Sequence, residues 1–208
     1  MNIGVSSYCQ ISPTGVFKNG VRLMKNEWPS NSFNEYARGI YDFLNIAYPK
    51  YFKMDELCKL AFLATEVLLS NCKLRDSAET AIVIGNKHSS LASDEKHFES
   101  YKNRGHYYPS PAVFVYTLPN IMLGEICIRN RIFGENSCFI MEDYDAGFLY
   151  DYVNNLIANE GYTSCITGYI DYISENYSAS LYLVEKDAED RQVCKFNREA
   201  LLLPNSGR

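Results

Sequence analysis

The stretch that decides the fold is residues 109–160, PSPAVFVYTLPNIMLGEICIRNRIFGENSCFIMEDYDAGFLYDYVNNLIANE. A helix-like run over 118–132 passes through a turn at Gly134 into an apolar strand that begins at Ser137 and ends at Met141. An acidic corner, residues 142–145, leads directly into a second helix. Several enzyme folds use such a strand, corner and helix to direct a nucleophile toward a substrate. Here the corner offers carboxylates and a phenol instead.

Strands and helices alternate along the rest of the chain, and their apolar periodicity gives their type. Asp55 is well placed to cap a helix with almost no polar face, and the run AETAIVIG indicates a strand buried on both faces. The pattern predicts one α/β domain over residues 1–208, with a mixed β-sheet and helices on its faces. The predicted elements are strands over 2–11, 78–85, 164–173 and 179–185 and helices over 32–47, 56–72 and 146–160, with the last two strands paired antiparallel through a turn at 174–178.

Composition excludes several classes of function. The 208 residues are 47% hydrophobic, which is ample for a core, and the net charge of -5 comes without a basic stretch. A nucleic-acid partner held through its phosphates is therefore not expected. No run of about 18 apolar residues predicts a membrane span. The N-terminal MNIGVSSYCQ lacks the cationic and apolar regions of a signal peptide, so a cytoplasmic location is expected.

Cysteine and histidine spacing argues against a metal or disulfide framework. The seven cysteines are odd in number, scattered and mostly set in apolar runs, which predicts buried, reduced thiols. The histidines, His88, His97 and His106, recur at intervals of nine among solvated charges, a spacing that fits neither a helix-face pair nor a loop motif. We expect an exposed helix and loop there, and neither a metal nor a cofactor.

Four stretches together resemble the N-terminal half of the β-ketoacyl-acyl carrier protein synthases, which have the thiolase-like fold. They are KMDELCKLAFLATEVLL, AIVIGN, ASLYLVEK and the passage from PSPAVF to SCFIM, in which Asn120-x-x-x-Gly124 is followed ten residues later by Gly134. Their order and spacing carry the resemblance, which covers about residues 1–186 and leaves 187–208 as a C-terminal extension. The implied architecture is a thiolase-like half domain.

The resemblance implies a cysteine at the corner, where that family attacks an acyl thioester. Counting from Gly134 without a gap places the position on Asp143, or on Glu142 or Tyr144 if the alignment slips by one. A carboxylate lacks the nucleophilicity that this chemistry needs. Cys138 lies five residues upstream, about 16 Å away at the rise of a strand, and does not replace it. The family's two catalytic histidines come from a second half that has no counterpart in these 208 residues.

Three hypotheses follow. The first is a non-catalytic ketosynthase-like accessory or binding protein in fatty-acid or polyketide-type synthesis, including polyene pigments. The second is an enzyme with different chemistry at Glu142, Asp143 and Tyr144, with paired carboxylates for acid–base catalysis. The third is one half of an active heterodimeric ketosynthase. A simpler role for the corner is that Asp143 or Asp145 caps the next helix.

By resemblance, the expected partners are an acyl carrier protein, a ketosynthase or a second copy of the chain. Family members dimerise by pairing the strand before the corner, so we expect a homodimer through the strand from Ser137 to Met141, with Cys138 near the twofold axis. The helix after the corner carries a polar face, Asp151, Asn154, Asn155 and Asn159, which suits water or a polar partner.

Overall fold

A mixed β-sheet organises the part of the chain that the computed structural model describes, residues 2–26, 32–103 and 108–205. Its eight described strands are β1 Ile3–Ser12, β2 Gly15–Lys18, β3 Val21–Lys25, β4 Thr80–Asn86, β5 Asn136–Ile140, β6 Ser164–Ile173, β7 Asn176–Lys186 and β8 Cys194–Lys195. The order across the sheet is β3-β2-β1-β7-β6-β4-β5, and β8 pairs with β1. Strand β4 runs parallel to β5 and β6, and the other pairs are antiparallel. The predicted α/β fold with a mixed sheet is confirmed.

Helices cover both faces of this sheet. They are α1 Phe33–Phe43, α2 Glu56–Leu69, α3 Leu91–Glu99, α4 Pro111–Phe114, α5 Ile121–Asn130 and α6 Ala146–Asn159, with 3-10 turns at Pro49–Lys53, Val115–Thr117 and Ala200–Asn205. Helices α1, α2 and α5 share the larger apolar core on one face, and α6 lies on the other. In the described ranges no single helix is long and apolar enough to cross a membrane, and one helical pair, Pro111–Thr117 with Ile121–Asn130, reaches that length and composition only with a 94° bend.

The central elements follow their sequence patterns. All seven residues of β4 are buried, as expected for a strand between two parallel neighbours with helices on both faces. The predicted cap of α2 is present, because Asp55 Oδ1 accepts the Cys58 N–H at 2.9 Å. Most of α2 is buried between the sheet and helices α1 and α5, which confirms it as a core helix.

The strand pairs differ from the prediction in their turns. Asn19 and Gly20 both have positive φ (48° and 80°), the conformation of a two-residue hairpin turn, and this turn adds β3, which the sequence did not predict. Strands β6 and β7 form the predicted antiparallel pair, but only Ser174 and Glu175 connect them. The predicted turn over 174–178 is therefore too long, because polar residues at 176 and 178 continue the ladder of β7.

Three helices are shorter than predicted, for the same physical reason. Helix α2 ends at Leu69 instead of residue 72, and Asn71 adopts a left-handed φ of 59°. Helix α1 ends at Phe43 instead of residue 47, where Asn45 adopts a left-handed φ of 51°. Helix α5 begins at Ile121 and ends at Asn130, because Arg131 takes a left-handed φ of 56° at its C-cap. A single left-handed residue ends the helical hydrogen-bond pattern, and only glycine signals such a site reliably in sequence.

The residues after β7 return to the sheet. Strand β8 pairs with Gly4 and Val5 of β1, and Phe196 and Leu201 join the apolar core on the α6 face. The hydroxyl of Tyr182 donates to the Leu201 carbonyl. This segment thus covers part of the sheet face beside α6.

Candidate functional site

The carboxyl ends of the parallel strands β4, β5 and β6 lie side by side. We call this end of the strands the carboxyl edge. In open α/β sheets ligands usually bind there. The turn into β5 depends on Gly134, because a Cβ there would lie 2.3 Å from the Thr80 carbonyl oxygen. At the other end of β5, the Met141 N–H donates to the Asn86 carbonyl at 2.9 Å, which holds the start of the acidic corner against the end of β4.

Asp145 is the N-cap of α6. Its Oδ1 accepts the backbone N–H of Phe148 at 2.9 Å, and the carboxylate faces the positive end of the helix dipole. The capping role predicted for this part of the corner is confirmed, and it falls on Asp145.

Asp143 and Glu142 face solvent. The Asp143 side chain is 91% exposed, and its Oδ1 lies 3.6 Å from Nζ of Lys87, the residue after β4. Glu142 is also exposed. The structure thus brings Asp143 next to a surface lysine and does not enclose the two carboxylates together.

Tyr144 points away from them. Its hydroxyl donates to the Leu201 carbonyl at 2.9 Å, and its ring packs at 5.5 Å from the ring of Tyr169. Burial raises the pKa of this phenol above its usual value, so it stays protonated. Tyr144 therefore anchors the C-terminal segment with the hydroxyl that a ligand would otherwise use.

A histidine–aspartate pair, which the sequence did not predict, also lies at the carboxyl edge. His88 Nδ1 lies 2.6 Å from Asp171 Oδ2, and the side chain of His88 is 31% exposed. Asp171 Oδ1 accepts the backbone N–H groups of Lys87 and His88 at 3.2 and 2.9 Å and the Asn86 amide at 3.3 Å. The expectation that His88 is a solvated loop residue is wrong, because β6 places a carboxylate directly beside it.

This pair orders the turn after β4 and orients the imidazole. The contact of Asp171 with Nδ1 leaves the Nε2 side of the ring facing away from the carboxylate. The sequence shows only that His88 follows the strand that ends near Asn86 and that Asp171 lies near the end of the strand over 164–173. Chemistry at this pair would also require a nucleophile or an activated water.

Six of the seven thiols have a raised pKa. All seven cysteines are free; Cys9, Cys58 and Cys165 are buried and the others are partly buried. Burial raises the pKa of Cys138, on β5, to about 11 and that of Cys9 to about 12. Burial also raises the thiol pKa of Cys58, Cys127, Cys165 and Cys194. A catalytic cysteine needs the opposite shift.

Potential metal ligands do not converge. Within residues 2–26, 32–103 and 108–205, no three His, Cys, Asp or Glu side chains are grouped to hold a metal ion. His97 packs against the rings of Tyr101 and Phe114 on and beside α3, in the predicted exposed helix and loop. His106 lies outside the residues that the structure describes.

Strand β5 forms one edge of the sheet. Its residues 136–140, NSCFI, carry no charge, and Ile140 is 53% exposed. The Ile82 N–H donates to the Glu135 carbonyl, and the Met141 N–H donates to the Asn86 carbonyl. Because these bonds alternate along a parallel pair, the N–H and C=O of Cys138 face away from β4. They are unpaired within the described sheet.

Solved structures share this fold. The ishigamide ketosynthase/chain length factor aligns with a TM-score of 0.67 at 16% identity, over 92% of this chain and 64% of its own. The chain has the fold of the ketosynthases. A ketosynthase in complex with its chain length factor from Xenorhabdus doucetiae gives a TM-score of 0.58 at 14% identity, over 89% and 79% of the two chains. A type II PKS acyl-carrier protein in complex with its ketosynthase gives 0.60 at 13% identity, over 91% and 64%.

The ketosynthase-like fold confirms the architecture that the sequence resemblance implies. The stretches that carry the resemblance are α2, β4, β7 and the passage through α5 into β5. The chain spans just under two thirds of the ishigamide protein's length. No protein-family model and no curated protein sequence matches it.

Proposed function

We propose that this chain is a non-catalytic, ketosynthase-like accessory protein of fatty-acid or polyketide-type synthesis, forming one domain over residues 1–208. The observation that carries the proposal is the corner between β5 and α6. Where the resemblance places a thiolate, an exposed Asp143 lies beside Lys87. A carboxylate there does not form the thioester intermediate of ketosynthase chemistry.

The remaining groups at the corner support the same conclusion. Asp145 is occupied as a helix cap, and the Tyr144 hydroxyl is bonded to the Leu201 carbonyl. Cys138, the nearest thiol along the chain, sits within β5 and has a raised pKa. An enzyme built on Glu142, Asp143 and Tyr144 would need these groups to converge on one substrate, whereas the phenol and the carboxylates point in different directions.

The free edge of β5 is the proposed contact with a partner. An exposed strand edge without charge or proline is a template for another strand, and soluble proteins usually block such edges. The opposite edge, β3, carries Arg22 and Lys25. We propose that β5 pairs with the corresponding strand of a ketosynthase, or with a second copy of this chain when no such partner is present.

The structural relatives supply the class of partner. Two of them were solved as complexes of a ketosynthase, one with a chain length factor and one with an acyl-carrier protein. The proposal extends this kind of assembly to the present chain. A partner ketosynthase would supply the nucleophile that the corner lacks.

An acylation assay tests the absence of thioester chemistry. The purified chain is incubated with an acylated carrier protein and its intact mass is measured, with a cysteine-dependent ketosynthase as the positive control. We expect no acyl adduct on the chain and a full adduct on the control. A stoichiometric adduct that maps to the corner or to Cys138 would contradict the proposal.

A co-purification experiment tests the partner. The tagged chain is co-expressed with a candidate ketosynthase partner, and the eluate is analysed for a stable stoichiometric complex. We expect the complex to form and the ketosynthase to carry all acylation.

A further inference from the structure

An open cleft of about 770 Å³ lies at the amino ends of the parallel strands, which we call the amino edge. The C-termini of α2 and α5 meet the loop into β4 there. Pockets for organic molecules span roughly 300–1,000 Å³. Basic side chains outnumber acidic ones in its lining, which includes Lys73, Arg75, Arg129, Arg131, Glu66 and Asp76. This local excess of positive charge occurs in a chain with a net charge of -5.

Both carboxylates in the lining are already occupied. Glu66 accepts two bonds from Arg129, Nε to Oε1 at 2.8 Å and Nη2 to Oε2 at 3.1 Å. Asp76 Oδ1 accepts the backbone N–H of Ala78 at 2.7 Å. Neither carboxylate neutralises Lys73 or Arg131.

Lys73 and Arg131 are exposed cations on a fixed backbone. Neither has an ion pair or a side-chain hydrogen bond to any residue that the structure describes. The Lys73 carbonyl accepts Arg191 Nη1 at 3.1 Å, and Arg131 is held in the left-handed C-cap of α5. The backbone thus holds both residues at the cleft while their charged ends stay available.

Arg129 adds a rigid donor to the lining of the cleft. Its guanidinium lies 5.0 Å from the Tyr48 ring centroid and is bound to Glu66 on one side only. A planar guanidinium held by stacking and by a carboxylate is well suited to bind phosphate oxygens with its remaining N–H groups. Leu44, Leu69 and Leu74 supply apolar lining for an organic moiety.

We propose that this cleft binds an organic phosphate of nucleotide size, with Lys73 and Arg131 on the phosphate oxygens and Arg129 as the fixed third donor. Inorganic phosphate alone would leave most of the cleft empty. The site goes beyond the proposed accessory function, because it lies at the other end of β4 from the acidic corner.

Calorimetric titration of the intact chain with ADP, pyrophosphate and adenosine tests the ligand class. ADP is expected to bind, pyrophosphate to bind more weakly, and adenosine not to bind. Raising the salt concentration should weaken ADP binding, because exposed charges are screened. Absence of ADP binding, or equal binding of ADP and adenosine, would overturn the proposal.

A matched pair of double variants locates the site. Lys73→Glu with Arg131→Glu should weaken ADP binding at least about tenfold, since hydrogen bonds to charged groups are lost and repulsion is added. Lys25→Glu with Lys53→Glu changes the net charge equally but should leave affinity unchanged. Lys53 precedes α2 and Lys73 follows it, so the 14 helical residues separate them by about 21 Å. Equal losses in both variants would show only a general charge effect and overturn the site.

Cys72 gives a readout that does not depend on a variant. Its thiol lines the cleft and lies 3.7 Å from Arg191 Nη1. Bound ADP should slow alkylation of Cys72 by iodoacetamide and leave Cys138 on β5 unaffected, as measured by peptide mass spectrometry. Unchanged labelling of Cys72 at saturating ADP would contradict binding in this cleft.

Discussion

The carboxyl and amino edges of the parallel strands differ in how their charged side chains are paired. At the carboxyl edge, Asp145 caps α6 and Asp171 holds His88 and the turn after β4. At the amino edge, the buried Glu185 is paired with Arg191, and the nearby cleft carries Lys73 and Arg131, which have no ion pair with any residue that the structure describes. The corner at which the sequence resemblance implies a nucleophile holds a helix cap and an ordered turn. The cationic cleft lies at the other end of the same strands.

The largest expected effect is at the amino edge. Glu185 is fully buried, and its Oε1 is bound to Arg191, with Arg75 Nε at 3.7 Å. Arg191→Ala should lower the free energy of unfolding by about 3 kcal/mol, because it leaves a buried carboxylate poorly compensated. Urea denaturation measures the loss. Arg198→Ala, which removes an exposed partner of Asp151, is the control and should cause no measurable change; similar losses in both would erase the contrast between buried and exposed pairs.

A smaller effect is expected from the aspartate at the carboxyl edge. Asp171→Ala should destabilise the protein by roughly 1–3 kcal/mol, because the amides of Lys87 and His88 and the Asn86 side chain lose a charged acceptor. Hydrogen exchange at residues 87 and 88 should accelerate. Glu142→Ala, at an exposed residue of the same edge, should leave exchange there unchanged. Unaltered protection in Asp171→Ala would show that the pair does not order this turn.

Within the corner itself, the two aspartates should differ. Asp145→Ala removes the cap of α6 and should cost about 1 kcal/mol. Asp143→Ala removes only an exposed contact with Lys87 and should leave the thermal midpoint unchanged. A larger loss from Asp143→Ala than from Asp145→Ala would reverse the roles assigned to them.

The sequence was sufficient where a local pattern determines the structure. The apolar run of β4, the cap at Asp55 and the apolar faces of α2 and α6 depend on neighbouring residues alone. The ketosynthase-like order of elements was also predictable from the resemblance. Strand β3 was not, because VRLMK is mostly exposed and has no apolar alternation.

The candidate sites depend on strand order, which no local pattern gives. His88 and Asp171 are 83 residues apart and meet only because β4 and β6 are neighbours. The cationic cleft likewise combines the loop after α2 with the end of α5. Tyr144 offered a ligand-binding hydroxyl in sequence, and only the fold of residues 196–201 shows that this group is used internally.

The central claim is that this chain acts by assembly through the edge of β5, and sedimentation velocity tests it most directly. Cys138→Pro removes an N–H that faces away from β4, so it should block the edge while the β4–β5 ladder remains. Without a ketosynthase partner, the wild-type chain and a Cys138→Ser control should sediment at twice the 23.8 kDa protomer mass. The proline variant should sediment as a folded monomer with an unchanged circular dichroism spectrum. A wild-type chain that stays monomeric at high concentration, or a proline variant that stays dimeric, would contradict the claim.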